Sequence, residues 1–404
     1  MERSRLASLL GGSAGPERDA LVIDAEPRNF MASAAQAIRG NRNVFLGSPG
    51  WTQAERDEAG RLAMSGASGE RGWLMIPTGG SSGAIKFARH DGETVAAAVE
   101  GFRAHFGIDR VNSVCVLPLH HVGGFMSWMR SALTGGVFEV LSWKEIEMGN
   151  LPASLPEDAC LSLVPTQLQR LLGSKSAITW LRGFKVISVG GGPSWDELVE
   201  SCALHGLALS PSYGATETAA MVAAVRPGEF LGGMRGCGHA MPHARIGVVD
   251  GIVRVSGESL FRGYFPDLGT GRTWTSHDLG SIGADGSLRI EGRRDDVVTT
   301  GGEKVSPAEV EEALRSSGQF EDVAVIGLPD PDWGQAVVAC YPESMAPVNA
   351  GRIEAALSRI ASFKRPKWYA AISPWPRNPQ GKIDRAALAS LARISPRQSS
   401  PRAS

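Results

Sequence analysis

Short apolar runs recur along the first three quarters of the chain, and each is bounded by glycine or proline. They occupy residues 73–76, 114–117, 161–164 and 184–189. Runs of about four to eight apolar residues between turn-forming residues are typical of buried β-strands. Stretches with helical character alternate with these runs. This region is therefore predicted to be an α/β structure of layered sheets and helices.

The helix after the last of these runs has a recognisable start. Ser194 is followed three residues later by Glu197. This spacing is typical of a capping box, in which each side chain accepts from the other residue's backbone N–H. The pattern predicts a helix whose N-cap is Ser194, directly after a glycine-rich turn at 190–192.

A charged run at residues 293–296 separates the long glycine-rich region from a shorter α/β pattern. Beyond it, Ser306 and Pro307 mark a helix start as N-cap and first helical residue, and Glu309 occupies the third position. Three further elements are predicted: a strand at 323–328, a helix near 353–360 and a strand at 368–372.

We therefore expect two domains: a large N-terminal domain at residues 1–294 and a small, mobile C-terminal α+β domain at residues 295–391. The length of 404 residues agrees with this division, since single cores usually stop growing at roughly 250–300 residues. Residues 392–404 are rich in Ser, Pro and Arg and are expected to be disordered.

Composition and charge exclude several classes of protein. The chain has 41 basic and 42 acidic side chains and a net charge of -1, so no bulk positive field draws it to nucleic acid. Its five cysteines are scattered and never form a C-x-x-C pair. That pattern argues against a disulfide framework or structural zinc and favours the cytoplasm. We expect no signal peptide at the N-terminus, and no apolar run approaches the ~20 residues of a membrane helix.

Residues 78–86 combine glycines, hydroxyl side chains and one lysine after a predicted buried strand. Small residues and bare backbone N–H groups of this kind are typical of a phosphate-binding loop. A Walker A loop is excluded, because Lys86 does not directly follow a glycine and precedes Phe87. The same residues match the G-x-S-x-G pattern of hydrolases. However, residues 84–89 alternate like a strand, whereas a nucleophile elbow runs into a helix.

Eight motifs, in the expected order, resemble those of the adenylate-forming superfamily of acyl- and aryl-CoA synthetases, luciferases and adenylation domains. The likeness runs from about residue 73 to residue 385. Each motif is weak alone, but their common order is specific. The motifs are the phosphate loop at 78–86, a histidine motif at 118–124, a glycine-rich adenine turn at 190–193, a Y-G-x-T-E motif at 212–218, a block at 257–264, the end of a T-G-D block at 278–280, a hinge region at 292–296 with 301–304, and a G-K motif at 379–382.

The resemblance implies that ATP activates a carboxylic acid as an acyl-adenylate, which is then transferred to the thiol of CoA. It implies the fold described above, with a mobile C-terminal domain that carries a catalytic lysine. The implied nucleotide-binding residues are Thr78, Gly79, Gly80, Ser81, Ser82, Gly83, Lys86, Gly190, Gly191, Gly192, Ser212, Tyr213, Gly214, Thr216, Asp278 and Arg293.

Catalytic and metal-binding roles follow from the same resemblance. Glu217 and Thr78 would hold Mg²⁺ beside the triphosphate, and His121 is a further catalytic candidate. Lys382 would bridge the incoming carboxylate and the phosphate, where two anions must meet. The small domain would rotate about Asp295, and the loop at Gly301 and Gly302 would then border the path of CoA.

Among members of this superfamily, the chain most resembles the o-succinylbenzoate:CoA ligases of menaquinone and phylloquinone biosynthesis. The runs that carry this likeness lie at 211–219, 238–244 and 259–264. Such an acid needs a flat apolar slot for its ring and a cationic or hydroxyl-rich end for its second carboxylate. His121, Ser212 and Thr218 are the candidates for contact with the acid.

The chain departs from the superfamily pattern in two places. The run Ser276-His277-Asp278 stands where T-G-D is usual, so an imidazole replaces a glycine beside the expected ribose site. The region before the phosphate loop is also shorter than is typical. Other readings therefore stay open: another aryl or short acyl acid, a carrier protein as acceptor, or a member that binds nucleotide or acyl ligand without turnover. A homodimer also stays open.

Overall fold

The protein is described here by a computed structural model. It covers residues 9–10, 19–65, 72–78, 85–267, 269, 271–345, 349–377 and 383–398. Within these residues the strands form four sheets, with helices packed between and around them. The predicted fold class is confirmed: a large N-terminal domain of layered sheets and helices is followed by a small α+β domain.

The first sheet consists of β1 (Ala20–Val22), β2 (Val44–Leu46), β3 (Leu74–Thr78) and β4 (Lys86–His90), in that order. The first three strands are parallel, whereas β4 runs antiparallel to β3. Two helices connect them, α1 (Pro27–Arg39) and α2 (Gln53–Met64). The predicted strand at 73–76 and the strand-like pattern at 84–89 therefore form a pair that flanks residues 79–84.

The second sheet is the largest and has seven strands. They are β5 (Ser113–Cys115), β6 (Phe138–Val140), β7 (Cys160–Leu163), β8 (Val186–Val189), β9 (Leu209–Ala215), β10 (Ala220–Ala224) and β11 (His239–Ala240). Their order is β11-β10-β9-β8-β7-β5-β6. Pairing is parallel from β9 to β6 and antiparallel at β10 and β11. The apolar runs at 114–117, 161–164 and 184–189 are β5, β7 and β8, as predicted.

Helices cover both faces of this sheet. They are α3 (Gly92–Phe106), α4 (Val122–Thr134), α5 (Trp143–Glu147), α6 (Pro165–Leu172), α7 (Lys175–Leu181), α8 (Asp196–Leu204) and α9 (Pro227–Leu231). Leu161 and Ile187 pack against Leu168 of α6 on one face. On the other face, Cys160 packs with Phe102 of α3. This division follows from the alternation of side chains along a strand.

The third sheet is an antiparallel meander of β12 (Ala244–Val249), β13 (Ile252–Gly257), β14 (Thr273–Ile282) and β15 (Leu288–Arg293). Its register places Asp278 directly opposite Arg293. A short 3₁₀ turn, Arg294–Asp296, follows β15 and leads to the small domain. The exact boundary between residues 294 and 295 stays a prediction.

The small domain has five strands and three helices among the described residues. They are β16 (Val298–Thr300), β17 (Glu303–Val305), β18 (Ala324–Asp330), β19 (Gly334–Pro342), β20 (Trp368–Ile372), α10 (Pro307–Ser316), α11 (Ala350–Leu357) and α12 (Arg385–Ile394). The strands predicted at 323–328 and 368–372 are β18 and β20. The helix predicted near 353–360 is α11, which begins and ends three residues earlier.

The expected disorder of residues 392–404 is wrong for its first part. Helix α12 continues to Ile394, and Ala392 is fully buried together with Leu388. Gln398 and Tyr369 then exchange two backbone hydrogen bonds, of 2.8 and 3.1 Å. Apolar packing and strand-like pairing thus order a segment whose composition suggested a tail.

The predicted capping box at Ser194 is also wrong. Helix α8 begins two residues later, at Asp196, and its N-cap Trp195 supplies no side-chain bond. Instead, the backbone N–H of Asp196 donates to Glu312 Oε1 of α10 at 3.2 Å. The Arg315 guanidinium lies 4.8 Å from the centroid of the Trp195 ring. The small domain therefore caps a helix of the large domain.

Helix α10 begins at Pro307 as predicted, but its expected capping interaction is absent. The Ser306 hydroxyl donates to the carbonyl of Glu291 at 3.3 Å and makes no bond to the first turn. Glu309 accepts from Lys364 Nζ at 2.6 Å. Both side chains that the sequence pattern assigned to a cap are therefore engaged with other elements.

Glu312 lies in an acidic environment at this contact. Burial, followed by the neighbouring charges of Glu197 and Asp196, raises the pKa of Glu312 from 4.5 to about 7, although its bond from the Asp196 N–H opposes the shift. The folded protein therefore binds a proton at Glu312 that the unfolded chain releases between about pH 4.5 and 7. Stability is lost as the pH rises through that window.

We expect the free energy of unfolding of the wild-type protein to fall, relative to that of Glu312→Gln, between about pH 4.5 and 7. Glutamine keeps an acceptor for the Asp196 N–H but cannot ionise. Urea unfolding at several pH values measures the difference. Glu354→Gln, at an exposed glutamate of α11, should run parallel to wild type. A parallel curve for Glu312→Gln as well would contradict the assignment.

Candidate active site

The carboxyl ends of the parallel strands β5, β7, β8 and β9 meet at one edge of the second sheet. His121 lies close to this edge as the N-cap of α4. Gly190 directly follows β8, and Ser212 lies beside it on β9, where its hydroxyl donates to the Val189 carbonyl at 3.0 Å. Open α/β sheets bind ligands outside this carboxyl edge, so three predicted motifs converge where a ligand is expected.

Two glycines of these motifs are required by close packing. A Cβ on Gly190 would lie 2.9 Å from Ser212 Oγ, and one on Gly214 would lie 2.0 Å from the carbonyl oxygen of Ala220. The second approach is to backbone, which cannot move aside cheaply. Gly191 has a φ of 77°, in the left-handed region that favours glycine. Glycine at these positions thus allows the strand ends to lie close together.

Asp278 lies at the centre of a hydrogen-bond network. Its Oδ2 accepts from the Tyr213 hydroxyl at 2.7 Å, and its Oδ1 accepts from Arg293 Nη1 at 3.1 Å. Burial, reinforced by the Asp278 charge, raises the pKa of Tyr213, so the phenol stays a donor. Arg293 Nη2 also lies 3.6 Å from the carboxylate of Asp295. The structure thus brings together three predicted nucleotide-binding residues and the predicted hinge residue.

The imidazole of His277 does not crowd Asp278. Its Nδ1 lies 3.0 Å from the Asp295 carboxylate, and its side chain is 52% exposed. Neighbouring residues of a strand point to opposite faces, so His277 and Asp278 diverge. The departure from the superfamily pattern adds a partner to the predicted hinge residue and leaves the carboxylate of Asp278 unobstructed by the imidazole.

Glu217 lies in the 3₁₀ turn Thr216–Thr218 that follows β9. Its Oε1 accepts from the Tyr264 hydroxyl at 2.6 Å, and its backbone carbonyl accepts from Phe261 N at 2.8 Å. Its second carboxylate oxygen has no hydrogen bond within the described part of the chain. Mg²⁺ usually binds proteins through one or two carboxylates together with phosphates and waters. A single oriented carboxylate at this edge fits that requirement, and the described residues offer no group of three or more metal-ligating side chains.

The expectation that Thr218 contacts the acid is wrong. Its side chain is fully buried. Its Oγ1 accepts from Ala215 N at 2.9 Å and donates to the Ala220 carbonyl at 2.7 Å. The hydroxyl makes these hydrogen bonds within the turn that carries Glu217, so Thr218 is structural.

The predicted residues Gly79, Gly80, Ser81, Ser82, Gly83 and Lys382 lie outside the described residues. Their flanks are described: Thr78 ends β3 and pairs with Lys86, the first residue of β4. Gly301 and Gly302 form the turn between β16 and β17, with φ values of 56° and 85°. The roles given to all of these residues stay predictions, as do those of Gly192 and Thr216.

A buried arginine lies outside all of the predicted motifs. Arg130 of α4 is 5% exposed, and its guanidinium lies 4.3 Å from the centroid of the Phe102 ring. It pairs with no carboxylate of the described residues, and its Nε has no hydrogen-bond partner there. Burial lowers the pKa of Arg130 to about 10. A signal was available, since Arg130 is the single charged residue of the helix that follows the histidine motif.

A row of hydroxyl groups connects the carboxyl edge of the sheet with this part of the interior. We call it the serine row; it consists of Ser162 on β7, Ser188 on β8, and Ser210 and Ser212 on β9. The first three are in register across neighbouring strands. Ser127, one turn before Arg130 on α4, donates to Ser162 at 3.4 Å. The row therefore lies on the face that α4 covers, and the hydroxyl of Ser210 is buried without a partner among the described residues.

Comparison with protein families agrees with this architecture. The profile of the AMP-binding enzyme family matches residues 21–265, and the profile of the AMP-binding enzyme C-terminal domain matches residues 309–382. The first match alone covers more than half of the 404 residues. The chain belongs to the AMP-binding enzyme family.

Individual relatives fall into the same group. A 2-succinylbenzoate–CoA ligase of Oceanobacillus iheyensis is 27% identical over 287 residues, which are 67% of this chain and 60% of that protein. An indoleacetate–CoA ligase of Aromatoleum aromaticum is 29% identical over 299 residues, 68% of this chain and 58% of that protein. The chain thus spans about three fifths of the length of these curated relatives.

A solved structure shows the shared fold. The o-succinylbenzoate coenzyme A synthetase MenE of Bacillus subtilis, in complex with ATP and magnesium ion, has a TM-score of 0.73 and 21% identity. The match covers 95% of this chain and 92% of that one. No helix in the described part of the present chain is long and apolar enough to cross a membrane.

We expect Tyr213→Phe to lower the free energy of unfolding by about 1.5–3 kcal/mol, the range for hydrogen bonds to charged groups. The change leaves Asp278 with Arg293 as its one side-chain partner among the described residues. Thermal or urea unfolding measures it. Tyr369→Phe is the matched control, because that buried tyrosine makes no hydroxyl hydrogen bond to the described residues. Equal losses in both variants would argue against a special role for the Tyr213 hydroxyl.

Proposed function

We propose that the chain is an ATP-dependent carboxylic acid:CoA ligase that works through an acyl-adenylate, with o-succinylbenzoate as its acid. The reaction type is supported by membership of the AMP-binding enzyme family and by relatives named 2-succinylbenzoate–CoA ligase. The buried guanidinium of Arg130 is the observation that carries the choice of acid.

ATP would bind along the carboxyl edge of the second sheet. Asp278 is suited to the ribose, because the lone pairs that Tyr213 and Arg293 leave unused can accept from both hydroxyls. Residues 78–83 would hold the departing pyrophosphate through backbone N–H groups. Residues 190–192 would border the adenine and the acyl group, where absent side chains allow a close approach.

Glu217 would hold Mg²⁺ through the carboxylate oxygen that Tyr264 leaves free, and the Thr78 hydroxyl would lie beside the phosphates. When bound, the ion would neutralise charge on the triphosphate. Tyr264 would keep the carboxylate in one orientation through its 2.6 Å bond. The B. subtilis MenE structure, which contains ATP and magnesium ion, supports this choice of metal.

o-Succinylbenzoate carries one carboxylate that is activated and a second that takes no part in the reaction. The first would lie at the carboxyl edge near His121 and Ser212, where Lys382 would offset its repulsion from the phosphates. The second would lie near Arg130, which offers paired donors to a carboxylate. His121 and Arg130 are nine residues apart on α4, or about 13 Å along the helix axis. Side chains lean toward the helix N-terminus, which shortens the gap that the acid must span.

Acids with one carboxylate fit less well. A buried cation without a carboxylate partner costs folding free energy, and a monocarboxylate such as indoleacetate would not supply that partner at Arg130. Transfer to CoA is supported by the names of the relatives, and the predicted loop at Gly301 and Gly302 would border the thiol path after rotation about Asp295. The five free cysteine thiols support a reducing, cytoplasmic setting.

We expect Arg130→Met to reduce kcat/KM for o-succinylbenzoate by roughly 30-fold to 1,000-fold, because a buried charge pair is lost. Acid-dependent pyrophosphate release measures this, with CoA present and absent. Analogues that lack one of the two carboxylates should show which group the arginine recognises. Wild type and Arg130→Met should process the analogue without the recognised carboxylate equally well. Arg103→Met, at a surface arginine of α3 paired with Glu100, is the control. An equal loss for every acid would contradict the assignment, and pyrophosphate release without any acid dependence would contradict the ligase.

We expect Lys382→Ala to abolish formation of the acyl-adenylate while preserving transfer of supplied acyl-adenylate to CoA. The lysine offsets the repulsion between two anions in the first half-reaction and is not needed in the second. Exchange of labelled pyrophosphate into ATP measures the first step, and mass detection of the thioester measures the second. Lys364→Ala, at a lysine of the small domain paired with Glu309, should leave both unchanged. Equal loss of both steps in Lys382→Ala would refute the role.

A further inference from the structure

His90 joins the first sheet to the turn that carries Glu217. It is the last residue of β4 and is fully buried. Its Nε2 lies 2.8 Å from the carbonyl oxygen of Thr216, and its Nδ1 lies 3.1 Å from Thr94 Oγ1. None of the eight motifs includes this histidine, so the nucleotide site described above does not account for it.

The partners of the ring determine where its proton lies. A carbonyl oxygen only accepts hydrogen bonds, so Nε2 carries the hydrogen and donates it to Thr216. Nδ1 is then an acceptor that faces the Thr94 hydroxyl, which also lies 3.0 Å from the Asp91 carbonyl oxygen. Burial lowers the pKa of His90 to about 4, so the ring is neutral near pH 7 and its one N–H is committed to Thr216.

That bond fixes the backbone at Glu217. The carbonyl of Thr216 is held by His90 on one side of Glu217, and the carbonyl of Glu217 itself is held by Phe261 N at 2.8 Å on the other side. Because the peptide groups on both sides of the Glu217 Cα are oriented by these bonds, its Cα–Cβ bond points in one direction. The Tyr264 hydroxyl then orients the carboxylate.

The same strand borders the predicted phosphate loop. β4 begins at Lys86, which pairs with Thr78, and it ends at His90. Four residue steps of strand therefore separate Lys86 from His90, about 13 Å of extended chain. The strand thus connects Thr78, the partner of Lys86, with the imidazole that holds the turn of Glu217.

We propose that His90 is a positioning residue that holds Glu217 at a set distance from Thr78, so that the carboxylate meets the metal bound to the ATP phosphates. This inference rests on the proposed function for the roles of Glu217 and residues 78–83. It adds a residue that does not touch the nucleotide and acts through the peptide of Thr216.

Two substitutions separate the bond to Thr216 from the bulk of the side chain. His90→Gln places an amide N–H close to the position of Nε2 and keeps the bond. His90→Asn reaches only the position of Nδ1 and loses it. Titration calorimetry with Mg·ATP and with AMP is the measurement, because AMP lacks the β- and γ-phosphates and requires no metal. We expect His90→Asn to bind Mg·ATP about tenfold more weakly, the effect of one lost buried hydrogen bond, with AMP affinity within twofold of wild type.

His90→Gln should bind Mg·ATP within about threefold of wild type. His105→Gln is the matched control, since His105 is a buried histidine of α3 with an unpartnered Nε2 among the described residues, and it should bind both nucleotides normally. Unchanged Mg·ATP binding by His90→Asn, an equal loss of AMP binding, or a glutamine variant as weak as the asparagine variant would each overturn the proposal.

A measurement on the wild-type protein covers the case in which the asparagine variant does not fold. The ¹⁵N spectrum of labelled histidine, with His90 assigned by its absence in His90→Gln, should show the Nε2–H form and should shift on addition of Mg·ATP. ATP with a chelator should leave it unshifted, and any other tautomer or no shift with Mg·ATP would overturn the proposal. Absence of acid-dependent pyrophosphate exchange would count against the ligase alone, since these binding comparisons do not use an acid.

Discussion

The parallel pairing of β5, β7, β8 and β9 is the constraint on which the site depends. Parallel neighbours end at one edge, so the chain brings His121 after β5, Gly190 after β8 and Ser212 on β9 to the same place. Close strand contact then requires glycine at 190 and 214, because a Cβ would meet a neighbouring strand at either position. The motifs are thus partly packing requirements of the sheet, and the proposed ligand site lies at the edge that this packing creates.

The same sheet places a row of buried serine hydroxyls on one of its faces. Alternation sends Leu161 and Ile187 to an apolar core on the side of α6, α7 and α8, whereas Ser162 and Ser188 point toward α4. Buried hydroxyls and a buried guanidinium cost folding free energy when they lack partners. Arg130 has the Phe102 ring as a partner but no carboxylate among the described residues. The second carboxylate of the proposed acid would supply one.

Features set by local pattern could be predicted from the sequence: the strands, the start of α10 and the order of the motifs. Features set by distant partners could not. Ser194 looked like a cap because its spacing to Glu197 is right, but Glu312, more than a hundred residues away, supplies the acceptor. Thr218 looked available because it ends the Y-G-x-T-E motif, but its hydroxyl bonds within the turn. The sequence does not show whether Arg130 lies on an exposed or a buried face of its helix, because the packing of both neighbouring layers decides this.

His277 illustrates how a departure from a family pattern can be absorbed. The substituted residue lies on a strand, so its side chain points away from Asp278 and does not obstruct the proposed ribose site. The imidazole instead meets Asp295, which Arg293 also approaches. All three side chains are substantially exposed, and exposed ion pairs contribute little free energy. The pairing can therefore orient the turn between the domains without holding it shut, which is compatible with a small domain that must rotate during the proposed reaction.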